Sequence, residues 1–280
     1  MNLRPNLIPV LFLVPACLLS GRIVVAEEEE KLEPEVLAER LASADINVFA
    51  QAVAAIEKRL QSDPEPSISF LREFWLKPLQ DAGHYNLIER FCKCAILTSA
   101  DRVDDLEFFQ EARVRAFLAA RKPQEALSLA KALFNVSRMG NTDKALKLLT
   151  QCVQAANPDN LKPVLRLARE QRRGAAAGSP SGLLSSVTID GGAYLALIDQ
   201  LSKKDDSRSR IATGNLLLLA GRASEARALF EKIAKGHDWL EYHENVARAM
   251  RAEDGTIGRA NAYLLALPEP KEIPQPKEEF

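Results

Sequence analysis

Apolar residues recur at intervals of three and four along most of this chain, the spacing that puts them on one face of an α-helix. Leu37 and Leu41 near the start, and Ala145 and Leu149 near the middle, show this spacing. The pattern predicts an all-α protein. The predicted helices span residues 34–44, 46–60, 68–82, 84–98, 106–120, 124–134, 143–155, 161–172, 192–201, two helices within 208–234, 239–250 and 257–267.

Three stretches interrupt the helical pattern. Paired prolines at Pro64 and Pro66 break it first. Residues 174–192 are rich in Gly, Ala and Ser, which predicts a flexible linker or long surface loop between an N-terminal lobe (27–173) and a C-terminal lobe (193–267). Residues 268–280 carry four of the fifteen prolines among Lys and Glu, which is typical of an extended, disordered tail.

The most regular stretch is the helical hairpin over residues 210–234. Gly221 separates its two apolar runs and is predicted to adopt the left-handed conformation that ends a helix. Gly214 and Ala226 are small enough for the points where two antiparallel helices approach most closely. Phe230, four residues after Ala226, fills the space beside them.

This arrangement of small and aromatic residues resembles the tetratricopeptide repeat. The resemblance implies a right-handed superhelical stack of antiparallel helix pairs, an α-solenoid whose concave groove binds a peptide or a partner protein. By the same resemblance, the residues expected to pack between helices are Gly83, Ile88, Ala126, Gly140, Ala145, Gly214, Gly221, Ala226 and Phe230.

The repeat is irregular. The small position of the signature falls at Ile88, Ala126, Ala145 and Ala226, whereas a regular array of this family repeats at about 34 residues. The 19 residues between Ala126 and Ala145 leave room for only one helix and a turn. Residues 123–138 are therefore expected to serve two neighbouring helix pairs.

The first 26 residues have the pattern of a cleaved secretory signal. Arg4 precedes an apolar run that contains two prolines, and Val24, Val25 and Ala26 offer small residues before an acidic stretch. Export to the periplasm or outside the cell is therefore predicted. A retained N-terminal anchor is one alternative, and lipid attachment at Cys17 is another; in either case the protein would be held at a membrane.

The remaining cysteines predict no metal site. Their number is odd, and no two of them have the CxxC spacing: they are Cys92, Cys94 and Cys152. Cys92 and Cys94 would point to opposite sides of a helix, so small buried thiols are the favoured interpretation. A Cys92–Cys152 disulfide in an oxidising compartment stays open.

The sequence lacks the motifs that are typical of catalytic sites. It has no phosphate loop, dinucleotide fingerprint or paired-histidine zinc motif, so neither an enzyme nor a cofactor is predicted. His237, Glu241 and Glu244 share a helix face, but a solvated polar face is favoured over a metal site. With a net charge of −1 and interleaved basic and acidic residues, no nucleic-acid partner is expected, and no small-molecule substrate is evident.

The sequence therefore favours a non-catalytic scaffold or adaptor that binds a peptide or partner subunit. In the family, an asparagine one residue after the first small position clamps the peptide, which implies a partner-binding role for Asn215 and for Arg115 at the equivalent place. Asn215 has an alternative role, capping or bridging helices. An accessory domain of a cell-envelope enzyme or assembly complex is the alternative function.

Overall fold

In the computed structural model, the regular elements of the described residues are all helical, and no strand occurs among them. Those residues are 32–156, 162, 165, 189–235, 240–254 and 257–267. The predicted all-α class is thereby confirmed. The predictions made for 1–31 (the signal segment and Cys17), for the helix at 161–172 apart from residues 162 and 165, and for 174–188, His237 and 268–280 lie outside the described residues.

The helices match the predicted apolar runs, with ends that shift by a few residues. The first part of the chain forms α1 (Pro34–Leu41), α2 (Ile46–Ser62), α3 (Pro64–Phe70), α4 (Leu76–Asp81), α5 (Tyr85–Thr98), α6 (Val103–Ala119), α7 (Pro123–Val136) and α8 (Thr142–Ala156). The second part forms α9 (Gly191–Leu201), α10 (Ser207–Leu219), α11 (Ala223–Ala234), α12 (Leu240–Asp254) and α13 (Gly258–Leu265). Gly191 and Gly192, assigned to the linker from sequence, thus belong to α9.

A π-helical turn, Leu71–Trp75, joins α3 to α4. Pro78 lies four residues beyond Phe74 and has no N–H to donate to its carbonyl, and such breaks are commonly accommodated by a π turn. Trp75 is fully buried, and its indole N–H donates to the carbonyl of Pro34 at 2.9 Å. The irregular turn therefore attaches α1 to the α3–α4 segment.

Three helix pairs are joined by the same type of turn. Gly83, Arg121 and Gly221 have positive φ angles of 74°, 59° and 77°. In each case the next residue donates its N–H to the carbonyl five residues back, which caps the end of the preceding helix. The pairs are His84 to Leu79, Lys122 to Phe117 and Arg222 to Leu217, at 2.8, 2.9 and 2.8 Å. Arg121 thus occupies a position that favours glycine.

Helix α7 is central to the packing. It contacts α6 and α8, its neighbours along the chain, and also α10 and α12 from the second part. Its buried residues surround the helix axis, as is typical of a helix enclosed by others: they include Ala126, Leu129, Ala130, Ala132, Leu133, Phe134 and Val136. Contacts on several sides agree with the expectation that residues 123–138 serve two helix pairs. Helix α7 therefore contacts helices on both sides of the predicted linker along the chain.

The closest helix approach is between α10 and α11. Gly214 faces Phe230 so tightly that a Cβ atom at position 214 would overlap the phenyl ring. Ala226 and Phe230 are fully buried, as are the packing residues Ile88 and Ala126. Ala145 is 2% exposed.

Gly140 does not pack between helices as expected. It lies in the short 3₁₀ turn Met139–Asn141, where it is exposed and no atom would lie within 4 Å of an added Cβ. The reason is that this turn stays at the surface between α7 and α8. Its glycine marks the turn and does not pack between helices. Gly83 and Gly221, also expected to pack between helices, are likewise exposed in the turns after α4 and α10.

Candidate functional site

A cleft of ≈ 320 Å³ lies between the C-terminal end of α5, helix α9 and the N-terminal part of α10, and we call it the α9 cleft. Leu97, Ala100, Leu197, Leu201 and Ala212 give it apolar walls. Its polar lining consists of Thr98, Asp101, Lys204, Asp206, Arg208 and Ser209. The volume is at the lower end of the range for ligand sites, so the cleft fits one or two side chains of a larger molecule.

Helix α9 is apolar in sequence but only partly covered by the other residues that the structure describes. Among its residues only Tyr194 and Ile198 are buried. Leu197 and Leu201 are half-buried and line the cleft, while Leu195 is 38% exposed on another side and Ile189, just before the helix, is 48% exposed. Large apolar side chains that remain accessible on one element are a feature of interaction surfaces.

Most charges around the cleft are already paired. Arg208 donates to Asp101 at 2.6 Å and to Glu65 at 3.1 Å. Asp206 caps α10 by accepting hydrogen bonds from the backbone N–H and the hydroxyl of Ser209, which lower the pKa of Asp206.

A buried group of polar residues, which we call the Asp190 cluster, anchors the start of α9 to α5 and α6. Asp190 accepts from Arg113 at 2.5 Å and from Lys93 at 2.7 Å. Arg113 also donates to Glu89 at 2.8 Å and to the Tyr194 hydroxyl at 3.2 Å. The Arg113 side chain is fully buried and that of Asp190 is 4% exposed. The cluster therefore fixes one end of α9, and with it one wall of the cleft.

The charges in the Asp190 cluster stabilise one another. Burial alone would raise the pKa of Asp190, but the charge of Arg113 and hydrogen bonds from Lys93 and Arg113 hold it below its ordinary value. Burial would likewise lower the pKa of Arg113, yet Tyr194, Asp190 and Glu89 raise it. Burial raises the pKa of Tyr194 to about 12, so its hydroxyl stays neutral at physiological pH. The cluster is thus charged at pH 7, with Arg113 paired to both Asp190 and Glu89.

A second buried group, the arginine cluster, consists of Arg248 and Arg251 on α12. Both side chains are fully buried. Their guanidinium groups donate to backbone carbonyls at the C-terminal end of α7 and just beyond it, where the helix dipole is negative: Arg248 to Val136 at 2.5 Å, and Arg251 to Ser137 at 2.5 Å and to Asn135 at 3.3 Å. Burial lowers the pKa of Arg248 to about 10, and burial with the neighbouring charge of Arg248 lowers that of Arg251 to about 9. Both remain cations at neutral pH.

Asn215 is not exposed in a groove, contrary to the partner-binding expectation. Its side chain is fully buried, its amide donates to the Ala100 carbonyl at 2.8 Å, and its carbonyl accepts from Arg248 at 2.8 Å. It bridges α10, α12 and the turn after α5, which corresponds to its alternative role. A partner-binding role would require Asn215 to lie on an open face of α10, whereas most residues of this helix are buried.

Arg115 lies apart from Asn215, at the surface of α6. Its side chain is 56% exposed and pairs with Glu111 at 2.7 Å. Glu111 also pairs with Lys144 of α8 at 2.7 Å. The structure therefore leaves Arg115 accessible but does not bring it together with Asn215 in one site.

Glu244, expected on a solvated face, instead contacts the turn after α7. Its carboxylate accepts from the Met139 N–H at 2.9 Å and from Arg138 at 3.1 Å, and its side chain is 19% exposed. Glu244, Arg248 and Arg251 follow one another at helical spacing, so one face of α12 binds the end of α7. Sequence reasoning missed this face because charged residues at that spacing are usually solvated.

Cys92, Cys94 and Cys152 are free thiols, so the structure contains no Cys92–Cys152 disulfide. Burial raises the pKa of the Cys152 thiol to about 12 and that of Cys92 further, so both are protonated. Among the described residues, no group of three His, Cys, Asp or Glu side chains is arranged to hold a metal ion.

No family model matches this chain, and neither a curated protein nor a solved structure proved similar to it. Within the part of the chain that the structure describes, no helix is both long and apolar enough to cross a membrane.

Proposed function

We propose that this chain is a non-catalytic protein-interaction module, tetratricopeptide-repeat-like in its helical stacking, that binds a peptide or a partner subunit at the α9 cleft. Following its leader pattern, we place the module outside the cytoplasm. The repeat-like stacking is supported by the three equivalent turns at Gly83, Arg121 and Gly221 and by the close contact of Gly214 with Phe230.

One observation carries the proposal: α9 has more apolar surface than its neighbours cover. Leu197 and Leu201 reach only partial burial in the cleft, opposite Leu97 of α5. Transfer of these side chains out of water would stabilise a complex by about 25 cal/mol per Å² of apolar area. A partner's apolar side chain fits the available volume and would complete the packing of the helix.

The Asp190 cluster supports the same site because it holds α9 in a fixed place. A binding surface that is already ordered loses less conformational freedom when the partner arrives. Asp190 and Tyr194 are fixed by buried hydrogen bonds at the start of the helix, while Leu197 and Leu201 line the cleft farther along the same face. Helix α9 therefore combines a rigid attachment at its start with partly accessible apolar side chains toward its end.

The test compares two matched substitutions in the full chain, Leu201→Asp in the cleft and Leu265→Asp on α13, where Leu265 is 87% exposed. The wild-type protein is used to isolate a cross-linked partner, whose affinity for each variant is then titrated. We expect Leu201→Asp to weaken binding tenfold or more, which corresponds to about 1.4 kcal/mol, and Leu265→Asp to leave it within about twofold. Circular dichroism melts establish that both variants are folded.

A third variant, Arg115→Glu, tests the alternative surface on α6. Loss of binding in Arg115→Glu with full binding in Leu201→Asp would move the partner site from the α9 cleft to the α6 face. Equal loss in Leu201→Asp and Leu265→Asp would show that the effect comes from added charge alone, and would refute the cleft as the site.

A further inference from the structure

Lys204 differs from the other charged residues that line the α9 cleft. Arg208 is held by Asp101 and Glu65, and Asp206 is held by Ser209. Among the described residues, no carboxylate lies within ion-pair distance of the Lys204 ammonium group, although its charge contributes to the lowered pKa of Asp206. Lys204 is exposed at the rim of the cleft.

The position of Lys204 places a cation beside an apolar wall. Lys204 follows α9 by three residues, so its side chain borders the part of the cleft lined by Leu201. The backbone N–H of Lys204 donates to the Leu201 carbonyl at 2.9 Å, which fixes the turn that carries it. A ligand that buries an apolar side chain against Leu201 therefore brings its neighbouring residues close to this ammonium group.

We propose that the ligand of the α9 cleft is an acidic-apolar peptide segment of a partner protein, in which a leucine-like side chain enters the cleft and an adjacent carboxylate pairs with Lys204. This inference rests on the proposed function, because it assigns a ligand class to the same cleft. Arg208 is paired with Asp101 and Glu65, and the Asp206 carboxylate accepts hydrogen bonds from Ser209. Of the two cations that line the cleft, Lys204 is therefore the one without a carboxylate partner among the described residues, and the one open to a carboxylate of the ligand. The apolar walls provide contact area, and Lys204 provides the preference for an acidic peptide over a basic one.

The experiment measures binding of four fluorescein-labelled synthetic peptides to the full chain. The first is Gly-Ser-Leu-Glu-Glu-Leu-Gly-Ser; in the others, both Glu are replaced by Lys, both Glu by Gln, or both Leu by Ser. Fluorescence anisotropy gives the affinities, and amide NMR shifts of Leu197 and Leu201 locate the peptide. The protein variants are Lys204→Glu and, as the matched control, Lys203→Glu, since Lys203 is also exposed but does not line the cleft.

We expect the Leu/Glu peptide to bind about fivefold more tightly than the Leu/Lys peptide, the effect of one exposed ion pair, and to lose this preference as ionic strength rises. Lys204→Glu should reverse the preference, and Lys203→Glu should keep it. A merely structural role for Lys204 would not reverse the selectivity.

Two results would overturn the inference, and they are distinguishable. If both leucine peptides bind in the cleft with equal affinity, or if the Leu/Lys peptide binds better, the ligand class is wrong and the proposed function stands. If no leucine peptide shifts Leu197 or Leu201 at millimolar concentration, the proposed function fails as well.

Discussion

Asp190→Asn is the substitution that should most clearly separate a buried polar anchor from a surface charge. Asparagine keeps the shape of the side chain but removes the negative charge that pairs with Arg113 at 2.5 Å and Lys93 at 2.7 Å. Arg113 is fully buried, so its charge depends on the carboxylates around it. The matched control is Asp199→Asn, the same change on the exposed side of α9.

The size of the effect follows from what remains after the substitution. Breaking a buried ion pair by removal of one partner costs about 3–5 kcal/mol. Arg113 would still pair with Glu89 at 2.8 Å, and Lys93 is 35% exposed, so water can solvate it. We therefore expect Asp190→Asn to lower the free energy of unfolding by about 3 kcal/mol, the low end of this range. Asp199→Asn should lower it by no more than about 0.5 kcal/mol.

The same anchor predicts a specific pH dependence. Since the folded-state pKa of Asp190 lies below its ordinary value, its contribution to stability is complete above the ordinary carboxyl range. That contribution decreases as the pH falls through the depressed pKa. The difference in unfolding free energy between wild type and Asp190→Asn should therefore be constant near neutral pH and shrink only in strong acid.

Urea unfolding followed by far-ultraviolet circular dichroism, repeated across pH, measures both quantities in the full chain. If Asp190→Asn unfolds within about 0.5 kcal/mol of Asp199→Asn at pH 7, the Asp190 cluster is not the buried, charged anchor described above. A difference that grows toward acid would contradict the assigned direction of the pKa shift.

Three further stability predictions concern turns and close contacts, each measured by urea unfolding. Gly214→Ala should destabilise the protein by about 1–3 kcal/mol, because the new Cβ meets the buried ring of Phe230, although alanine has the higher helix propensity. Adding Phe230→Leu to this variant should recover part of the lost stability. Gly221→Ala should destabilise by about 1–2 kcal/mol, since its φ is positive. Arg121→Gly should stabilise by about 0.5–1 kcal/mol at the equivalent turn, and destabilisation there would refute the backbone argument.

The local features of the fold were accessible from sequence because short-range rules determine them. The apolar periodicity predicted most helices, and Gly221 marked a turn that requires a positive φ. Gly214, Ala226 and Phe230 identified the tight helix contact because small and aromatic residues suit that geometry at fixed spacing.

The buried polar groups were not accessible in the same way. Asn215 and Arg248 meet across 33 positions of the chain, and Arg113 reaches Asp190 across 77. Polar residues on helices are normally solvated, and nothing near them in sequence specifies a distant carbonyl or carboxylate as partner. On α12 the sequence does contain one indication that arginines are buried: Arg248 and Arg251 are interleaved with the apolar residues Ala247, Ala249 and Met250.

The candidate site depended on this unpredictable packing. Residues 192–201 were predicted as a helix, but its incomplete coverage follows from how α5 and α10 are placed around it. The resemblance-based pair, Arg115 and Asn215, assumed that the first helix of each pair lines an open groove. Enclosure of α10 by several helices removed Asn215 from the surface and left only Arg115 accessible.

Site-specific photocross-linking tests the central claim most directly. A benzoylphenylalanine residue replaces Leu197 in the α9 cleft or, as the control, Leu265 on α13, and the full-length proteins are irradiated in the cells that produce them. We expect a discrete protein adduct from position 197 that is absent from position 265 and is suppressed by Lys204→Glu. An adduct from position 265 alone, or no adduct from position 197 in a folded protein, would contradict the assignment of the α9 cleft as the partner-binding site.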